Sequence, residues 1–74
     1  MLKLGYYLKV ERQKRCLLQC EAARVIGVSR VQYSNMENDR VHSYAPATLE
    51  KVAEFLGKET EWVIKYIPAK NKTK

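Results

Sequence analysis

The sequence predicts an all-α fold, a compact bundle of about five short helices. Apolar residues recur three and four positions apart along most of the chain, which is the spacing that collects them on one side of a helix. The 3 glycines and 2 prolines are interpreted as separators between these periodic stretches. No stretch alternates apolar and polar residues well enough to indicate a strand.

Two helices are predicted near the start of the chain. The first covers roughly residues 3–15 and carries its apolar stripe on Leu4 and Leu8. The second ends before Gly27, because a glycine tolerates the positive φ that a helix exit often needs. Its apolar positions are Leu18, Ala22, Ala23 and Ile26.

Three further helices are predicted. Ser29 suits the N-cap of a short helix over residues 30–37, because its hydroxyl accepts a bond from an unpaired amide. Its inward positions are Val28, Tyr33 and Met36. After a polar loop, Pro46 suits the first turn of a fourth helix, which Gly57 ends. Its buried face is Leu49, Val52, Ala53 and Leu56. Pro68 closes the last helix, which contains Glu61, Trp62, Val63, Ile64, Tyr66 and Ile67.

The length and the net charge of the chain narrow the range of functions it can have. The 74 residues suffice for one small domain, which we assign to residues 1–68. Residues 69–74 form a basic segment that we expect to be a disordered tail, with a phosphate-binding arm as the alternative. The net charge of +6 and the pI of about 9.5 suit a polyanionic partner, either nucleic acid or an anionic membrane surface.

Several function classes find no support in the sequence. No apolar run is long enough to cross a bilayer and the first residues lack a signal peptide, so we expect a cytoplasmic protein. Cys16 and Cys20 are interpreted as reduced thiols that serve as small apolar residues. With His42 as the single histidine, they supply too few ligands for zinc. Neither a nucleophile–base pair nor a glycine-rich phosphate loop is present, so we expect no enzyme activity, cofactor or small-molecule ligand.

Residues 19–37 carry the most specific pattern, a helix, a short turn and a second helix. Ala23 supplies the small residue that two steeply crossing helices need where they meet, and Gly27 supplies freedom in the turn. The outward side of the second helix carries Arg, Gln and Asn, which bind base edges through paired hydrogen bonds, and an apolar residue that suits a thymine methyl. We therefore predict the base-reading residues Arg30, Val31, Gln32 and Asn35.

This pattern resembles the Cro/C1-type, or XRE, helix-turn-helix proteins of phages, plasmids and bacteria. The resemblance runs from Leu4 to about Ile67, nearly the whole chain, and implies the lambda-repressor-like fold. Each matching piece is short, but together they stand in the family's order at nearly its spacing. The pieces are Arg12, Gln19, Ala23, Gly27-Val28-Ser29, Ser34, Met36-Glu37-Asn38, Thr48-Leu49, Leu56-Gly57 and Trp62.

The resemblance also implies residue roles. Arg12 and Glu37 match a partly buried ion pair that joins the first helix to the end of the recognition helix. Trp62 matches a core aromatic residue of the last helix. The positions implied to bind DNA phosphates are Gln19, Ser29, Ser34 and Arg40.

A few positions depart from the family pattern. Leu18 stands where a Ser or Thr cap usually precedes the glutamine. Asp39 replaces the frequent glycine of the turn after the recognition helix, and Asp tolerates left-handed geometry better than most residues. The loop over residues 40–45 is slightly longer than usual, and we expect its His42, Ser43 and Tyr44 to be solvated.

The predicted function is sequence-specific binding of double-stranded DNA by a transcriptional regulator, a repressor at an inverted-repeat operator. One module offers few base contacts, so we predict a homodimer. Apolar residues of the last helix are the candidate dimer contacts, namely Ile64, Tyr66 and Ile67. The alternatives are an antitoxin-type autorepressor and a protein-interaction adaptor with the same fold.

Overall fold

The computed structural model describes residues 2–68, and the predicted tail at residues 69–74 lies outside them. The described chain folds into α-helices joined by short turns, with no strand, so the all-α prediction is confirmed. The helices are α1 (Leu4–Lys14), α2 (Gln19–Ile26), α3 (Arg30–Glu37), α4 (Pro46–Leu56) and α5 (Thr60–Tyr66).

Local sequence signals mark four of the helix ends. Ser29 is the N-cap of α3, and its Oγ accepts a hydrogen bond from the Gln32 amide at 3.0 Å. Gly27 and Gly57 end α2 and α4 with φ of 93° and 70°, the left-handed region that favours glycine. Pro46 occupies the first turn of α4, where its missing N–H costs no helical bond.

The core is a single apolar cluster to which all five helices contribute. Ala22 and Ala23 are buried, and their small size lets α2 lie close to the neighbouring helices. Tyr33 is the largest fully buried side chain. The other buried apolar residues are Leu4, Leu8, Ile26, Met36, Val52, Ala53, Phe55 and Val63.

Burial differs from the sequence pattern at three places. Leu18 is 64 % exposed at the start of α2, while its neighbour Leu17 packs against the core instead. Phe55 is buried on α4, although the face predicted there from helical periodicity does not include it. Cys16 and Cys20 are free thiols at exposed positions, so they fill no apolar space. Cys16 follows the end of α1 with φ of 57°, and Cys20 belongs to α2, so the two thiols do not share a helix.

Gly5 lies inside α1 rather than between helices, which corrects the interpretation of glycines as separators. A β-carbon at this position would overlap the Glu37 carbonyl oxygen. Oδ1 of Asp39 accepts a hydrogen bond from the Gly5 amide at 2.9 Å. Asp39 itself has φ of 59°, the left-handed geometry that the sequence suggested it would tolerate. The absence of a side chain at Gly5 therefore lets the start of α1 lie against the end of α3.

Two further contacts hold α1 against the second half of the chain. Nη2 of Arg15 donates a hydrogen bond to the Phe55 carbonyl at 2.6 Å, and its guanidinium lies 4.4 Å from the Phe55 ring centre. Arg15 therefore caps the end of α4 and is more than a solvated surface cation. The Tyr7 ring lies 5.0 Å from Trp62 and 5.1 Å from Tyr66, an aromatic cluster that joins α1 to α5.

Candidate nucleic-acid interface

The outward side of α3 carries the four predicted base-reading residues. Arg30, Val31 and Gln32 are exposed, Val31 to 61 %, and Asn35 is half-buried. None of the polar side chains among them forms a hydrogen bond or ion pair with another residue of the range 2–68. The fold therefore presents these groups to solvent with their bonding capacity unused. We call this set the outer face of α3.

The inward side of α3 packs against α1. Tyr33 and Met36 are buried, and the Tyr33 hydroxyl donates to the Leu8 carbonyl at 3.4 Å. Burial raises the pKa of the Tyr33 hydroxyl well above its usual range, so it remains a neutral donor. We call Tyr33, Met36 and Glu37 the inner face of α3.

Arg12 and Glu37 form an ion pair between α1 and the last turn of α3. Nε of Arg12 lies 2.6 Å from Oε2 of Glu37, and Nη2 lies 3.4 Å from Oε1. The two side chains are 15 % and 5 % exposed, so the pair is largely removed from water. Nη1 of Arg12 also donates to the Leu17 carbonyl at 2.9 Å, which fixes the turn before α2.

Gln19 joins the same network. It opens α2 as the sequence predicted, but its Nε2 donates to Oε1 of Glu37 at 3.1 Å instead of pointing away from the fold. Burial alone would raise the pKa of the Glu37 carboxyl, but the neighbouring Arg12, Tyr33 and Gln19 side chains outweigh burial and hold that pKa below its usual value. Glu37 is thus ionised and bonded within the domain.

The N-terminus of α2 has backbone amides without helical partners and one cap formed by a nearby side chain. Leu18 offers no side-chain acceptor, but the Glu21 carboxylate accepts a hydrogen bond from the Leu18 amide at 2.8 Å. Sequence reasoning missed this partner, although a Glu three residues after the cap position is its usual signal. The first amides of a helix have no partner inside it, so the Gln19 end of α2 suits an anion through its backbone.

The remaining predicted phosphate contacts lie along α3 and just after it. Ser29 precedes the helix and is exposed, although its hydroxyl also caps the helix. Ser34 is half-buried, and its carbonyl accepts a bond from Asn38 Nδ2 at 2.9 Å. Arg40 is exposed, and its amide donates to the Asn35 carbonyl at 2.9 Å, so the loop begins tied to the last turn of α3.

The loop between α3 and α4 is more structured than the sequence suggested. Tyr44 packs against the core, and burial together with the charge of Asp39 raises its pKa to about 12, which corrects the expectation of a solvated residue. His42 and Ser43 are exposed as expected. Nδ1 of His42 donates to the Pro68 carbonyl at 3.0 Å, a contact that no local sequence signal indicates.

The predicted dimer contacts are distributed unevenly on the last helix. Ile64 is 53 % exposed, whereas Tyr66 and Ile67 are partly buried against the domain's own core. Trp62 also packs against that core, as the resemblance implied. Only Ile64 among the three candidates therefore offers most of its apolar surface to a partner.

The described residues offer no membrane span and no metal site. Over residues 2–68, no helix is both long and apolar enough to cross a membrane. In the same range, no three His, Cys, Asp or Glu side chains gather as metal ligands would. A shallow open pocket lies at the turn between α4 and α5, lined by Gly57, Lys58, Glu59, Glu61, Trp62 and Lys65.

Comparison with known proteins gives one family. The family model HTH_3, described as helix-turn-helix, matches residues 8–63, well over half of the chain. The matched range begins within α1 and ends within α5, so it contains α2, α3 and α4 completely. A search of curated proteins finds no significant match.

Proposed function

The chain belongs to the HTH_3 family of helix-turn-helix, DNA-binding transcription regulators, and from this premise we propose that it is a repressor that binds an inverted-repeat operator as a homodimer. In this proposal the helix-turn-helix of α2 and α3 docks on duplex DNA, with α3 in the major groove. The family is regulatory and not enzymatic, which agrees with the lack of a nucleophile–base pair in the sequence.

The observation that carries the proposal is the outer face of α3. Its Arg30, Gln32 and Asn35 side chains are unpaired within residues 2–68, while the opposite face is anchored to α1. To distinguish base edges, a helix must be held rigidly and must present side chains that can form two hydrogen bonds with one base. In the proposed complex these residues read bases, and Val31 contacts a thymine methyl.

Contacts with the DNA backbone supply most of the affinity in this proposal. The net charge of +6 favours a polyanion, and Arg40 lies in the loop just after the recognition helix. Ser29 caps the recognition helix and Ser34 lies on it, and both hydroxyls suit hydrogen bonds to phosphate oxygens. For Gln19 we assign the phosphate contact to the backbone amide, because its side chain is bonded to Glu37.

Dimer formation is proposed because a single module reads few bases. A two-fold dimer places two recognition helices on the two halves of an inverted repeat. Ile64 is the leading candidate contact, with Tyr66 and Ile67 beside it, since it offers the most apolar surface of the three.

Selection of bound sequences from a random duplex pool tests the proposal. We expect an inverted repeat to be recovered. R30A and N35A should each weaken operator binding by about 1–3 kcal/mol and reduce its preference over unrelated DNA. R24A is the matched control, because Arg24 is an exposed arginine on α2 that is assigned no contact with DNA. Full operator discrimination by both R30A and N35A would show that α3 is not the reading helix.

The other functions predict different results. An adaptor that only binds proteins would give no mobility shift on duplex DNA at low salt. An antitoxin-type autorepressor would bind its operator but also co-purify with a second protein encoded beside it. Sedimentation that shows only monomer at micromolar concentration, with and without operator, would remove the homodimer from the proposal.

A further inference from the structure

Helix α1 and the residues just before it leave three large apolar side chains uncovered. Leu2, Tyr6 and Val10 are each between 42 % and 48 % exposed, and we call them the α1 stripe. Tyr6 and Val10 are four positions apart, so they lie on the same side of the helix. The buried Leu4 and Leu8 each stand two positions from Tyr6, about 160° around the helix from it. The helical part of the stripe therefore points away from the core.

Lysines border this stripe. Lys9 follows Tyr6 by three positions and Lys14 follows Val10 by four, so each lies beside an apolar neighbour on the helix surface. Lys3 is the N-cap residue of α1. Lys3 and Lys9 are exposed, and within residues 2–68 neither forms an ion pair. The stripe thus combines apolar surface with two uncompensated cations.

The one acidic residue of α1 is already bonded inside the chain. Oε2 of Glu11 lies 2.7 Å from Nε of Arg15, and its Oε1 lies 3.6 Å from Nζ of Lys14. Two stripes from two copies of this chain would bring lysines together with no spare carboxylate between them, and such like-charge contacts are unfavourable. The charge pattern therefore favours an acidic partner over a second copy.

The stripe is separate from the surfaces proposed for DNA and for the dimer. The inner face of α3 packs against α1 beside Leu8, on the side opposite Tyr6. Trp62 and Tyr66 of α5 lie against the Tyr7 ring. Ile64 stands two positions from each of them, so it projects from roughly the opposite side of α5. A partner on the stripe therefore leaves both the outer face of α3 and Ile64 uncovered.

We propose that the α1 stripe binds an acidic amphipathic helix of another protein. Apolar residues of that helix, three and four positions apart, cover the stripe, and its Glu or Asp carboxylates form ion pairs with Lys3 and Lys9. Each side chain of the stripe is about half covered by the domain, which leaves little to insert into a lipid bilayer but enough for a docked helix. This inference goes beyond the proposed function and does not depend on DNA binding.

Selection from a displayed library of randomised helical peptides, with the full chain as bait, tests the proposal. We expect recovered peptides with apolar residues three and four positions apart and with Glu or Asp beside them. One recovered peptide is then synthesised with a fluorescent label, and anisotropy measures its affinity. Y6A/V10A should weaken binding by about tenfold or more, because buried aromatic residues dominate such contacts. L18A/V25A, which removes exposed apolar side chains from α2 instead, should leave the affinity unchanged.

The two lysines are tested with the same labelled peptide. K3Q/K9Q should weaken binding by about fivefold at low salt, the effect of losing two exposed ion pairs. The loss should shrink at high salt, which screens such pairs. K51Q/K65Q removes the same charge from exposed positions on α4 and α5 and is the control. Melting curves check that all four variants remain folded.

Each contrary result removes a stated part of the proposal. Equal affinities of K3Q/K9Q and K51Q/K65Q, or recovered peptides without acidic residues, would overturn the acidic partner. Equal affinities of Y6A/V10A and L18A/V25A, or a library that yields no binder, would overturn the stripe as a docking site. Self-association of the unmodified chain that disappears in Y6A/V10A would assign the stripe to a second copy instead. Binding to phosphatidylglycerol vesicles that disappears in the same variant would assign it to a membrane.

Discussion

The inner and outer faces of α3 differ in how far their polar groups are already bonded. On the inner face, Glu37 accepts hydrogen bonds from Arg12 and Gln19, and the Tyr33 hydroxyl donates to α1. On the outer face, Arg30 and the side chains near it have no such partners within residues 2–68. The difference separates two tasks on a helix of 8 residues, because one face fixes its position and the other remains available to bind.

Removal of the partner of Glu37 should give the largest loss of stability. R12A leaves a carboxylate that is 5 % exposed without its cation, and an unpaired buried charge costs about 3–5 kcal/mol. Urea denaturation measures the change. R24A removes an exposed arginine and should shift stability by about 0.5 kcal/mol or less. Equal effects of R12A and R24A would mean that the inner face is not held by this pair.

A side chain at Gly5 tests the close approach of the two helices. In an ordinary helix interior, replacing Gly with Ala stabilises by about 1 kcal/mol. At Gly5 the new methyl group would overlap the Glu37 carbonyl, a backbone atom that has no rotamer to change. G5A should therefore destabilise the fold, by about 1–3 kcal/mol. Thermal melting beside Q13A, at an exposed position of α1, gives the sign, and a stabilised G5A would contradict the contact.

Acid should weaken the inner face through Glu37. Its pKa is held below the usual 4.5 in the folded chain, so the stability it contributes is present above that value and is lost as pH falls through the lower folded value. E37Q should flatten the fall of stability below about pH 4.5. Glu11, whose pKa is lowered mainly by its hydrogen bond from Arg15, leaves a residual dependence. E50Q, at an exposed position of α4, is the control. If stability falls as steeply with acid in E37Q as in the unmodified chain, Glu37 is not the cause of that fall.

The smallest effect on folding is expected on the outer face. The Gln32 side chain is exposed, and the bond to Ser29 uses only its backbone amide. Q32A should therefore change the free energy of unfolding by no more than about 0.5 kcal/mol, although it should weaken operator binding. A clear loss of stability in Q32A would show that the two faces are not separated in the way described.

Much of the fold was predictable because its signals are local. The limits of α3, its Ser29 cap and the left-handed glycines at positions 27 and 57 each depend on a few adjacent residues. Such short-range chemistry is visible in a sequence. The outer-face residues follow from the same register, since fixing the buried Tyr33 and Met36 determines which side of the helix faces outward.

The contacts that hold the helices together were harder to predict. Asp39 meets Gly5 across 34 positions and Arg15 meets the Phe55 carbonyl across 40, so no nearby residue indicates either bond. The family resemblance did imply the pair of Arg12 and Glu37, and in the structure Nε of Arg12 lies 2.6 Å from Oε2 of Glu37. Leu18 shows where helical periodicity misleads. The periodicity grouped Leu18 with the apolar residues of α2, but in the structure Leu18 is exposed and Leu17 packs against the core.

The aromatic cluster between α1 and α5 provides an internal optical probe. Trp62 is the single tryptophan of the chain, and its ring lies 4.5 Å from Tyr66 and 5.0 Å from Tyr7. Its emission therefore reports on the environment of α5, which is the helix proposed for self-association, and not directly on α3. Fluorescence titrations with DNA and with increasing protein concentration would then separate events at the two surfaces without any attached label.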